Sequence, residues 1–245
     1  DELSLTLALG RLPAGSVKEL EAMVSKLVAY GERSAEQAVP RRSLWVSDAS
    51  EDFQRVSRQL SRDIVEQGWS AQFVFPPDVV TTSSASDAPD YQQRVLGALQ
   101  KGPSILHFLG HGGRFVWRTA PIDLQRSGDL FSISDLAALP PGVVVPLVLS
   151  MTCSSGPFDH PEQGSLAEAL IQAEDGGALA VIAASRRVVP SRPFSQRVLN
   201  GVTREGLTIG EALLKAKQRE ARRSLELSYN LFGDPAMRVS RAMER

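Results

Sequence analysis

Two segments of the sequence carry side chains able to break an amide bond. HFLGHGG at 107–113 sets His111 among glycines, and LSMTCSSGPFDHP at 149–161 holds Cys153, the one cysteine of the chain, 42 residues after His111. A free thiol with a pKa near ~8.5 is only a few per cent thiolate at neutral pH, and a nearby imidazolium raises that fraction. The thiolate attacks a carbonyl and forms a thioester, while the imidazole protonates the leaving amine and later activates water. Backbone N–H groups of Gly112 and Cys153 are candidates to face the developing oxyanion. Each residue alone has a plainer reading. A single cysteine at a strand end is more often a small buried hydrophobe. His107, inside ILHFL, reads as a packing residue, and His160 in FDHP as a turn residue beside a proline. The pairing of Cys153 with His111 is what favours chemistry.

Composition narrows the remaining classes. The 245 residues carry a net charge of −1, which gives no global electrostatic case for nucleic acid. The densest basic run, KAKQREARR at 215–223, has Glu211 and Glu220 at helical spacing and reads as a solvated helix face. No stretch approaches the ~18 uninterrupted apolar residues of a membrane span. The start, DELSLTLALGRLP, has no basic leader region and reads as a strand whose upstream sequence is missing. One cysteine excludes an internal disulfide, and three scattered histidines exclude a Cys/His zinc site. No Asp-x-Asp-x-Asp loop for calcium is present, so neither a metal nor another cofactor is expected.

The elements that must position these residues alternate between strand and helix. Strands are expected at LTLAL (5–9), SLWVS (43–47), AQFVF (71–75), SILHFL (104–109), VVVPLVLS (143–150) and GGALAVIAAS (176–185). Ser16 with Glu19, Ser165 with Glu168 and Thr208 with Glu211 have the capping-box spacing and open three helices, the last running to about Ser224. Further helices are expected from Asp52 to Glu66, over 91–100, and from Ser134 to the PPG turn. Residues 76–90 read as a mobile surface loop, and GDPAMRV as a turn with a short closing strand. Pro146 inside its strand implies a bulge or an edge position over that part. Strands apolar on both faces, alternating with amphipathic helices, predict a largely parallel sheet covered on both sides.

In such sheets ligands bind beyond the carboxyl ends of the strands. Asp48 follows SLWVS, His111 follows SILHFL, Cys153 follows VVVPLVLS, and Ser185 to Arg187 follow ALAVIAA. A carboxylate, an imidazole, a thiol and a basic pair are therefore expected on one rim. Glycines around His111, and the turn CSSG after the thiol, are expected to let backbone approach a ligand or adopt positive φ.

At these residues the sequence resembles the gingipain-type cysteine peptidases. The matching segments, in order, are LALGRLPAGSVKELEAMVSKLVAY, ILHFLGHGG, PLVLSMTCSSGPFDHP, SLAEAL with GGALAVIAAS, LTIGEALLKAK and LFGDPAMRV. The resemblance implies an α/β, caspase-like three-layer sandwich with a mostly parallel sheet. It implies one catalytic domain over 1–245 cut from a longer chain, with residues 1–40 open to assignment to a preceding subdomain. It implies a cysteine endopeptidase acting on protein or peptide substrates, with His111 as general acid/base, Cys153 as nucleophile and Asp48 as the orienting carboxylate, Glu51 remaining open. Asp52 aligns with the acidic residue that receives a basic side chain in arginine-specific relatives, which gives a slight lean to a basic P1 residue. Arg186 and Arg187 could instead receive an acidic side chain, as in caspases. Export or a cell-surface location is common among relatives, and a cytoplasmic one remains open because intracellular relatives exist. A catalytically silent recognition module of the related CHAT type is the alternative, and acyl transfer by the same thioester chemistry is a third reading.

Overall fold

The computed structural model describes residues 5–77, 90–119, 129–160, 162–220 and 227–239. Six strands form the main sheet: β1 (Arg42–Ser47), β2 (Ser70–Val74), β3 (Ile105–Leu109), β7 (Val143–Met151), β8 (Gly176–Ala184) and β9 (Tyr229–Gly233), in the spatial order β2-β1-β3-β7-β8-β9. All pairings are parallel except β8 with β9. The central strands are buried along their whole length, as continuous apolar runs require when both faces are covered.

Side-chain alternation divides the core in two. Trp45, Ile105, Leu109, Leu149, Met151 and Ile182 point to one face, covered by α2 (Glu51–Val65), α5 (Arg192–Thr203) and α6 (Ile209–Gln218). Leu44, Val46, Leu106, Phe108, Val148 and Val181 point to the other, beneath α1 (Val17–Glu36), α3 (Tyr91–Leu99) and α4 (Leu166–Gln172). Helix starts follow their sequence signals. Ser165 with Glu168 and Thr208 with Glu211 form complete capping boxes. Ser16 accepts from the Glu19 N–H, but the Glu19 carboxylate accepts from Gly15 rather than from the cap residue.

Several expectations are corrected. Residues 5–9 form no strand; the segment touches the sheet through one bridge, Arg11 with Phe232, and Leu7 and Leu9 are exposed. Helix α5, absent from the sequence reading, is capped by Ser191 with Pro193 in its first turn. A second sheet of β4 (Gly112–Gly113), β5 (Val116–Arg118) and β6 (Asp129–Ser132) lies between strand 104–109 and Ser134, where the sequence reading places no element. The helix expected from Ser134 is a 3₁₀ turn over Ile133–Ala138, capped by Ser132 with Asp135. Strand β9 precedes the GDP turn instead of following it. Helix α6 ends at Gln218, and residues 221–226 lie outside the described residues, as do 78–89 of the expected loop. Pro146 sits where β7 projects beyond β3, whose pairing begins at Leu147, so its missing N–H costs the sheet nothing on that side.

Candidate active site

The spacing between the thiol and the imidazole is the register of two adjacent strands. In the β3–β7 ladder Ile105 faces Leu147 and Leu109 faces Met151, a constant offset of 42. His111 and Cys153 each lie two residues beyond the last pair of that ladder, Leu109 with Met151, at the ends of adjacent strands. Their contacts put both on the face covered by α2 and α5. The His111 ring meets Phe53 of α2 edge-on at 5.5 Å, and the Cys153 thiol donates to the Val188 carbonyl at 3.1 Å. Phe53 and Val188 both pack against the core of that same face. That Val188 contact is the thiol's hydrogen bond in this structure; the imidazole is not its acceptor.

Asp48, one residue beyond β1, is fully buried, whereas the His111 side chain is 42% exposed. Oδ2 lies 2.5 Å from His111 Nδ1 and accepts the His111 backbone N–H at 2.8 Å. Oδ1 accepts the Ser50 N–H at 2.9 Å, a turn in which the side chain mimics backbone and leads into α2. Three donors thus hold the carboxylate, which a buried charge requires. Glu51, the open alternative, is exposed at the start of α2.

The glycines serve packing more than left-handed backbone. A Cβ on Gly110 would lie 3.0 Å from the Asp48 backbone nitrogen and Cβ, so the absence of a side chain there admits the carboxylate over β3. A Cβ on Gly112 would lie 2.8 Å from the Val116 carbonyl. Neither Gly110, Gly112 nor Gly113 has positive φ, which corrects part of the expectation. In the CSSG turn the left-handed residue is Ser154, at φ 47°, and not Gly156. That turn lets the Ser154 N–H reach the Arg186 carbonyl at 3.0 Å.

Hairpin β4–β5 fixes the backbone after the imidazole. The Arg118 N–H donates to the His111 carbonyl at 2.9 Å, which makes Gly112 and Trp117 the non-hydrogen-bonded pair of an antiparallel ladder. The Gly112 N–H is therefore not used in pairing. Trp117, fully buried, stacks on Phe108 at 4.6 Å and donates to Ser150 Oγ at 2.9 Å, fastening the hairpin to the main sheet.

The other candidates are dispersed. Asp52 is exposed and paired with Arg55 at 2.6 Å on the surface of α2. Arg186 and Arg187 are exposed just beyond β8. His107 is fully buried against Trp45, with ring centroids 4.9 Å apart and neither ring nitrogen partnered. Burial pushes its pKa down to about 3. His160 Nδ1 accepts the N–H groups of Glu162 and Gln163, a turn contact. Among the described residues no group of three or more His, Cys, Asp or Glu side chains is arranged to hold a metal, and no helix is long and apolar enough to cross a membrane.

The family model described as peptidase family C25 matches residues 1–240. No curated protein sequence matches the chain. Among solved structures, the crystal structure of the Arg-specific cysteine proteinase gingipain R (RgpB) superposes with a TM-score of 0.72 at 16% identity, covering 94% of this chain and 54% of that one. The complex of Porphyromonas gingivalis RgpB pro- and mature domains gives 0.73 at 15% identity, covering 94% and 56%. This chain thus spans a little over half the length of those chains. The likeness establishes the fold: a caspase-like α/β/α sandwich around a mostly parallel sheet.

Proposed function

This chain belongs to peptidase family C25, and from that premise we propose that it is a cysteine endopeptidase with Cys153 as nucleophile, His111 as general acid/base and Asp48 as the group that orients the imidazole. The unit that does this is taken to be 1–245. The observation that carries the reading is the position of His111 and Cys153 just past the ends of neighbouring strands, with contacts on one face and a buried carboxylate on the imidazole.

Asp48 at Nδ1 keeps the proton on that nitrogen and leaves Nε2 to work, since the bond made by one ring nitrogen selects the tautomer. The thiol exchanges the Val188 carbonyl for the imidazole and passes its proton to Nε2. The sulfur then attacks the carbonyl carbon of the substrate. The oxyanion is met by the Gly112 and Cys153 N–H groups, the first of which the hairpin leaves unpaired. As the C–N bond breaks, the imidazolium returns its proton to the leaving amine, and a thioester remains. Water attacks next. Its proton goes to Nε2 and its hydroxyl to the acyl carbon, the S–C bond breaks to release the acid, and the imidazolium returns that proton to the sulfur. Asp52, Arg186 and Arg187 are the candidates for contact with the substrate, and they are of opposite charge.

Cleavage of fluorogenic peptides by wild type and Cys153→Ala tests the reading. Loss of about a thousandfold or more in kcat/KM is expected, with stoichiometric alkylation of native Cys153 by iodoacetamide. Equal rates in the two proteins, or a thiol that reacts only in denaturant, would reject it.

A further inference from the structure

Sheet order gives the site a direction. From one edge inward, β1 supplies Asp48 and leads to Asp52, β3 supplies His111, β7 supplies Cys153, and β8 leads to Arg186 and Arg187. The β7–β8 ladder pairs Ser150 with Ala183, an offset that sets Cys153 opposite Arg186. The bond from Ser154 N–H to Arg186 C=O is the one that a parallel pairing of those two residues makes. The Arg186 backbone therefore stands beside the turn that carries Cys153, and the residues bearing imidazole, thiol and guanidinium follow one another along a row of strand ends.

Charge along the row is lopsided. Arg186 and Arg187 are exposed and have no carboxylate or hydrogen-bond partner for their side chains among the described residues. On the opposite flank Asp48 is taken by His111 and Ser50, and Asp52 by Arg55. The reaction supplies the polarity of the substrate. Because His111 must protonate the departing amine, the leaving-group half lies on the imidazole side. The acyl half, whose carbonyl is attacked, lies beyond the sulfur, towards β8.

We infer, resting on the peptidase reading above, that the site selects substrates with Asp or Glu as the residue whose carbonyl is attacked, and that Arg186 and Arg187 bind that carboxylate. A guanidinium offers a planar fork of donors matched to a carboxylate, and two unpaired ones beside the nucleophile repel Lys or Arg at the same position. This sets aside the lean towards a basic residue drawn from the resemblance.

Quenched peptides identical except at that position, carrying Asp, Glu, Asn, Gln, Arg, Lys or Ala, provide the test with wild type, Cys153→Ala, Arg186→Gln, Arg187→Gln and Arg186→Glu. The expected kcat/KM for Asp or Glu exceeds that for Asn, Gln, Arg and Lys by about tenfold or more. Either glutamine variant lowers the acid-to-amide ratio by about fivefold, Arg186→Glu lowers it further, and added salt compresses the wild-type ratio. Fastest cleavage after Arg or Lys, abolished by Cys153→Ala, overturns the acidic preference and leaves the peptidase reading standing. An acid-to-amide ratio unchanged in both glutamine variants also overturns it. Cleavage of no peptide above the Cys153→Ala level overturns both readings.

Discussion

His107 and His111 are four residues apart on β3 and its extension, and alternation directs both to the same face of the sheet. One lies in the middle of the strand and the other past its end, and they inhabit different chemical worlds. His107 is sealed against Trp45 with both nitrogens unpartnered, so protonation would put an uncompensated charge into the core. His111 is part exposed, with a buried carboxylate on one ring nitrogen. The residue type says little by itself. Strand interior against strand end decides whether an imidazole is sealed or reachable, because only past the last ladder pair do solvent and a second polar group come within reach.

The sharpest way to break the contrast is to exchange the consequences of mutation. His111→Ala is expected to lower kcat/KM by about 10³-fold with little change in Tm. His107→Leu, close in volume, is expected to keep kcat/KM within about threefold and to hold or raise stability by about 1 kcal/mol, since it removes two orphaned polar atoms. Comparable losses of activity in the two would erase the distinction.

Asp48→Asn is a smaller perturbation that sharpens it. An amide preserves the shape but no longer imposes the tautomer, so kcat is expected to fall about a hundredfold with KM nearly constant. A change confined to KM would place Asp48 in substrate binding instead.

The gentlest test is pH. His107 has a folded pKa of about 3 against an ordinary value of 6.5, so below 6.5 the unfolded chain takes up a proton that the native chain refuses. Stability is complete above pH 6.5 and is lost as pH falls from there towards 3, at up to about 1.4 kcal/mol per pH unit from this residue. Urea unfolding of wild type and His107→Leu across that range should show a shallower acid limb in the variant. Parallel limbs would mean that the buried ring is not what titrates.

The parts of the fold readable from sequence were those with long, self-consistent local signals. Strands β1, β2, β3, β7 and β8 carry runs of five to nine residues, and two helices carry full capping boxes. The misses have separate causes. LTLAL has the alternation of a strand, but alternation cannot supply a neighbour, and only Arg11 reaches β9. Strands of two or three residues, such as β4 and β5, are too short to show any period. Helix α5 has a legible start at Ser191 and Pro193 and apolar residues at 194, 198, 199 and 202, so its signal is present in the sequence. At the site, strand-end position alone brought Asp48, His111, Cys153 and Arg186 under consideration. Nothing in the sequence could show that Asp48 needs Gly110 bare, or that Asp52 meets Arg55, because both depend on which atoms meet across elements.

The constant offset between β3 and β7 has an evolutionary corollary. Changes of length in the connection that spare β5, β6 and the 3₁₀ turn leave that ladder as it is, so descendants of this sequence can acquire new surface there while Cys153 keeps its place past the end of β7. A deletion of one residue between 147 and 153 would instead carry the thiol to the opposite side of the sheet. Diversification in this scaffold is therefore steered into the connection and barred from the strand.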